Sequence, residues 1–106
     1  MSGLNDNEIE FIEFVLSKYI EAGVDELDEE IVQSISSRMK MAERIGAYKR
    51  DQNVTILQVK RWKEISNRWL TLSHALGLSD DFIKKLLQLI HKESIRTQTS
   101  VMNREV

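Results

Sequence analysis

The stretch 38-RMKMAERIGAYK-49 opens and closes on a cation, yet both cations fall in line with apolar residues. Upstream, Val24, Leu27 or Asp28, Ile31 and Ile35 step by three and four residues, and the stepping continues through Ala42 and Ile45. That period marks one face of a helix. Extended in register it lands on Arg38 and on Lys49, so two positive charges sit on the stripe that should meet a core. They are three helical turns apart, roughly 16 Å along the axis. Their long stems must converge if both are to reach one ligand.

Working outward from this stretch, the chain of 106 residues is long enough for one domain, taken as 1–106, with a modest core. It is near the size at which a partner subunit often supplies further burial. Proline is absent, glycine occurs four times, and aromatic and β-branched residues never alternate over a useful length. This predicts an all-α chain. Without cysteine there are no disulfides, thiolate nucleophiles or thiolate metal ligands, which fits a reducing, cytoplasmic setting. The N-terminal MSGLNDNEIEFIEF is acidic and has no basic segment leading into an apolar one, unlike a signal peptide. No apolar run approaches the length of a membrane span. Lysine plus arginine number 15 against 17 acidic residues, a net charge of -2, which argues against general affinity for nucleic acid or anionic lipid. Any anion must be held locally, so the placement of single cations carries the information.

Three helices are expected. The first opens near Asn5 or Asp6, either of which can cap it, and runs to about Lys49. Gly23 leaves two readings, a close-packing point within one long helix or a break with Asp25 capping a new start. A single helix of about 40 residues would span roughly 60 Å, more than a domain of this size can cover, and needs another chain against it. The segment 50-RDQNVT-55 reads as a polar loop, and Thr55 with Gln58 matches a capping box opening the second helix. Ile65, Trp69 and Leu72 mark its buried face, and Gly77 ends it. Ser79 with Asp80 and Asp81 starts the third helix, whose inner face reads Ile83, Leu87, Ile90, Ser94, Thr97 or Gln98, and Val101.

The third helix thus repeats the oddity of the first, with polar Ser94 and Gln98 one turn apart on an apolar face. A lone Arg38 or Lys49 would be read as a stem along the core edge with its head in water. Together with Ser94 and Gln98 the pair asks for more, because a buried cation without a counter-charge is costly and no carboxylate shares these faces. An anionic ligand is the simplest missing partner. Arg61 joins the set if the second helix packs alongside. Gln58 is open to two readings, a helix cap or a ligand contact.

The order Arg38, seven residues, Gly46, two residues, Lys49, then Arg61, then Ser94, three residues, Gln98 resembles that of the all-helical chorismate mutases. The surrounding 27-LDEEIVQSISSRMKMAERIGAYK-49 and 86-LLQLIHKESIRTQTSVMN-103 support it, and the resemblance covers residues 24–103 without a gap at the motif positions. It implies an intertwined homodimer of three-helix chains, each active site completed by the long first helix of the other chain. It also implies the Claisen rearrangement of chorismate to prephenate, on the route to phenylalanine and tyrosine. That reaction is unimolecular and needs no metal or cofactor; the enzyme's task is to hold a dianion compact and favour the charge shift of bond breaking.

By the same resemblance Arg38 binds a substrate carboxylate, with Arg61 and Ser94 in support. Lys49 and Gln98 are the catalytic pair, donating to the ether oxygen as its bond to carbon lengthens. His74 and His91 are left as surface or structural residues. Two positions depart from the family. Trp62 stands where a glutamate usually accepts from the substrate hydroxyl, so Gln58 or Glu93 becomes the candidate acceptor; Trp62 itself steps to Ile65 and Trp69 as a core residue would. Glu21 stands where the cross-subunit arginine is expected, which makes Lys18, one turn earlier, the candidate replacement. Two alternatives accompany the mutase: an isochorismate-pyruvate lyase, and a catalytically weak helical dimer that docks onto another shikimate-pathway enzyme.

Overall fold

The computed structural model describes residues 3–56 and 58–104. Its helices are α1 (Asp6–Asp51), α2 (Val59–Ala75) and α3 (Asp80–Met102), and no strand occurs among the described residues. Among the described residues, no helix is long and apolar enough to cross a membrane. The chain divides into two compact units, one ending at Ser36 and the other beginning at Ser37.

In the first unit Asn5 is the cap that sets the start of α1. Its Oδ1 accepts from the Glu8 backbone N–H at 2.8 Å, and its Nδ2 donates to Glu8 Oε1 at 2.7 Å. Asp6 and Glu8 place negative charge on the positive end of the helix. The helix runs through Gly23 unbroken, which removes the reading of a restart at Asp25. Among the described residues a Cβ at Gly23 would meet nothing within 4 Å, so close packing among them does not explain the glycine. The stripe expected to meet a core does not do so here: Val24, Leu27 and Ile31 remain 50%, 58% and 56% exposed. The reason is that, among the described residues, this unit holds one helix and no second element to cover it.

The second unit contains the end of α1 together with α2 and α3, and its buried apolar residues are Ala42, Ile83, Leu87 and Val101. Helix α1 passes Lys49 and closes after Asp51, taking up the first residues of the expected loop. Val54 N–H donates back to Lys49 O at 2.8 Å and Asn53 N–H to Arg50 O at 3.3 Å, with Asn53 in the left-handed region at φ 54. This is a Schellman closure, and asparagine is one of the few side chains that accept that backbone. Helix α2 closes the same way: Gly77 has φ 73, Leu78 N–H donates to Ser73 O at 2.9 Å and Gly77 N–H to His74 O at 3.1 Å.

The expected capping box at Thr55 does not form. Helix α2 begins at Val59, Trp62 N–H donates to Gln58 O at 3.1 Å, and the Gln58 side chain makes no capping bond. The turn at Asn53 and the hold of Lys49 Nζ on Ile56 O at 2.9 Å keep Thr55 out of the helix. The buried seam of α2 also differs from the expected one. Ile65 and Trp69 are half-buried, but Ser73 is the buried neighbour and Leu72 is 58% exposed. In α3, Ser79 Oγ accepts from Phe82 N–H at 3.3 Å, and Ile83, Leu87, Ser94, Gln98 and Val101 are buried, as its periodicity implied.

Candidate active site

Helices α1 and α3 come into close approach at Gly46, where a Cβ would lie 2.8 Å from Gln98 O and 2.9 Å from Gln98 Cα. The missing side chain lets the two backbones touch, and it does so one turn from Lys49. Beside this crossing is a cavity of about 390 Å³. Its polar wall consists of Arg38 and Lys49 from α1, Arg61 from α2, Gln58 before it, and His91, Ser94 and Gln98 from α3. Its apolar wall includes Ala42, Ile45, Ile56, Trp62 and Ile65. No acidic side chain among the described residues lines it.

Among the described residues, the wall bonds of Arg38 and Lys49 are to neutral groups and leave their charge unneutralised. Arg38 Nη1 donates to Ser94 Oγ, and Ser94 in turn donates to Ile90 O at 2.9 Å. Lys49 Nζ donates to Ile56 O at 2.9 Å and to Gln98 Oε1 at 3.2 Å. Both partners of Lys49 are neutral. Burial pushes the Lys49 pKa below the ordinary lysine value. Burial first, and the charge of Arg61 second, lower that of Arg38, which stays a cation because guanidinium is so basic. Each shift says that the surroundings disfavour the positive charge. An entering anion would relieve that cost. Arg61 also faces Glu64 at 3.5 Å, an exposed pair of little strength.

Six of the seven residues singled out from the sequence therefore border one space: Arg38, Lys49, Gln58, Arg61, Ser94 and Gln98. Gln58 is free of the capping role. Lys18 is not among them; it lies in the first unit, where its ammonium pairs with Glu21 at 3.2 Å and sits 5.6 Å from the Phe14 ring centre. Glu93, the lesser candidate acceptor, is engaged by Arg96 through bonds of 3.0 and 2.5 Å, is held below the usual carboxylate range by them, and does not line the cavity.

Two wall residues were assigned elsewhere by the sequence. Trp62 is half-buried and faces the cavity in addition to stepping toward Ile65. His91 also lines it, with its ring centre 4.1 Å from that of Trp62. The signal was present, since His91 lies two turns before Gln98 and one before Ser94 on the same face. His74, by contrast, is exposed and pairs with Asp80 at 2.5 Å. The arrangement can bind and partly dehydrate an anion, and it sets an ammonium and an amide side by side where negative charge could develop.

A family model described as chorismate mutase type II matches residues 20–99. The chain is 30% identical over 81 residues to the bifunctional chorismate mutase/prephenate dehydratase of Buchnera aphidicola subsp. Schizaphis graminum, covering 76% of this chain and 21% of that protein. It is 26% identical over 80 residues to the Escherichia coli protein of the same name, again 76% of this chain and 21% of the other. It therefore spans about a fifth of the length of these bifunctional relatives. Against a 4-amino-4-deoxychorismate mutase of Streptomyces venezuelae it is 28% identical over 86 residues, covering 81% of this chain and 84% of that protein. No solved structure matches the chain significantly.

Proposed function

The chain belongs to the chorismate mutase type II family, and from that membership and the cationic cavity we propose that it rearranges chorismate to prephenate. The observation that carries the proposal is the pairing of Lys49 Nζ with Gln98 Oε1 at 3.2 Å on the wall of a cavity that no carboxylate among the described residues lines. With its oxygen turned to Lys49, Gln98 keeps its NH₂ as a donor, so an ammonium and an amide are ready for one ether oxygen. Preorganised donors of this kind are worth roughly 3–4 kcal/mol each toward a developing oxyanion. Arg38, supported by Ser94, takes one carboxylate in a two-pronged charge-assisted contact, and Arg61 adds positive charge for the second. The apolar wall of Ile45, Ile65 and Trp62 holds the ring in its compact conformer.

The active form is proposed as an intertwined homodimer in the cytoplasm. The uncovered stripe of Val24, Leu27 and Ile31 supports it, because a second copy of the chain is a partner that could bury it. In that dimer Lys18 of the partner copy is the candidate for the cross-subunit cation, exchanging Glu21 for a substrate carboxylate.

A second substrate comes from the Streptomyces relative, named for 4-amino-4-deoxychorismate. Charge separates the two. That compound carries an ammonium where chorismate carries a hydroxyl, and this cavity offers three cations and, among the described residues, no acid to receive it. Chorismate is the better fit. The test is to incubate the purified chain with chorismate, 4-amino-4-deoxychorismate and isochorismate in parallel and identify the products. Prephenate formed from chorismate at the highest kcat/KM supports the proposal. Faster turnover of the amino compound reassigns the substrate, and pyruvate released from isochorismate indicates the lyase. No turnover at high protein concentration leaves the docking-module reading in its place.

A further inference from the structure

The cavity wall holds one ionisable group to which the mutase reading gives no task. The His91 ring lies against Trp62, with centres 4.1 Å apart and planes tilted by 34°. The charged groups that line the same space are Arg38 and Lys49 from α1 and Arg61 from α2. On its own helix Lys92 is exposed, and Glu93 is taken by Arg96. Nothing negative faces the imidazole among the described residues. Burial first, and the charge of Arg38 second, lower its pKa from the ordinary histidine value, which favours the neutral ring.

An anion reverses each of these conditions. A carboxylate seated on Arg38 cancels the charge that opposes protonation and brings a negative charge close to the ring. The indole face of Trp62 then favours a cation stacked on it, which an aliphatic neighbour would not do. Resting on the mutase reading, we propose that His91 is a further substrate-binding residue, which takes up a proton from solvent when a carboxylate reaches Arg38 and completes the anion site as an imidazolium held on Trp62. Trp62 gains a role at the position where related sites place a glutamate. The imidazolium supplies positive charge that Glu21, at the expected cross-subunit position, does not.

The direction of the pH effect follows from linkage. Binding that raises the affinity of His91 for a proton is itself strengthened by protons, so affinity is highest at low pH and falls as pH rises through the bound-state pKa. Chorismate's carboxylates stay ionised throughout, since they titrate near pH 4 or below. For the wild type, KM for chorismate is expected to rise as pH rises, starting below the ordinary histidine pKa of about 6.5, by up to tenfold for each unit of pKa displacement, with kcat changing less. His91→Phe keeps a ring on Trp62 but cannot titrate. Its KM is expected to be flat with pH and close to the high-pH wild-type value.

A direct readout uses the full chain with labelled imidazoles, followed by NMR with and without saturating prephenate. The apparent pKa of His91 should rise when prephenate binds. A flat wild-type KM, or an equal slope in His91→Phe, overturns the inference. If prephenate moves the Ser94 and Gln98 amides but leaves His91 neutral, this inference falls and the mutase reading stands. If prephenate moves none of them and chorismate is not turned over, both fall. Should the Phe variant fail to fold, the wild-type titration decides alone.

Discussion

Replacing Gly46 by alanine sets two effects of opposite sign against each other. In a helix interior, alanine is favoured over glycine by about 1 kcal/mol. Against that, the new Cβ would lie 2.8 Å from Gln98 O, 2.9 Å from its Cα and 3.3 Å from its C, all backbone atoms of α3. No rotamer can relieve a clash with backbone, so α3 must retreat by roughly half an ångström to reach ordinary contact distance. Overpacking of this kind costs about 1–3 kcal/mol, which exceeds the propensity gain and leaves a net loss of about 1 kcal/mol. The retreat also carries Gln98 away from Lys49, whose bond is already 3.2 Å long. Weakening both donors by about 1.4 kcal/mol together would lower kcat tenfold. Urea unfolding followed by circular dichroism, with chorismate turnover on the same samples, reads both numbers. A Gly46→Ala protein that is more stable by the propensity amount and turns over at the wild-type rate would refute the claim that this glycine sets the distance between α1 and α3.

Two smaller predictions concern charge and burial. Because burial lowers the pKa of Lys49, kcat/KM for chorismate should fall on the alkaline side as the ammonium loses its proton, starting below the ordinary lysine range; a profile that stays flat up to about pH 10 contradicts this. Among the described residues, the hydroxyl of Ser66 is buried with no hydrogen-bond partner. Ser66→Ala should therefore leave the urea midpoint unchanged or raise it by the equivalent of up to about 1 kcal/mol, and a loss of that size would show that the hydroxyl has a partner after all.

The residues with periodic spacing were the legible ones. Arg38 and Lys49 betrayed themselves by sitting on an apolar stripe, and Ser94 and Gln98 did the same on α3, where the structure buries both. Ser79 was readable because its side chain meets an amide three residues away. What the sequence hid was decided by longer-range contacts. Thr55 and Gln58 have the spacing of a cap, but the turn at Asn53 and the Lys49–Ile56 bond delay the helix to Val59. Leu72 and Ser73 exchanged places: the small residue is buried and the large one is 58% exposed. The sequence reads His91 as surface or structural, since a lone histidine on a helix gives no sign of which neighbour it meets until α2 brings Trp62 to it. Lys18 and Glu21 lie on a helix that no second element of their unit covers, so no contact within that unit assigns either of them to the cavity.

The most direct test of the electrostatic mechanism is the kcat/KM for chorismate of the wild type and of Lys49→Ala, measured as loss of chorismate absorbance with prephenate identified as product. With Lys49 as one of two preorganised donors, the variant should fold as the wild type does and lose about 10²–10³-fold in activity. Wild-type protein that forms no prephenate, or a Lys49→Ala variant that forms it at the same rate, would contradict the account.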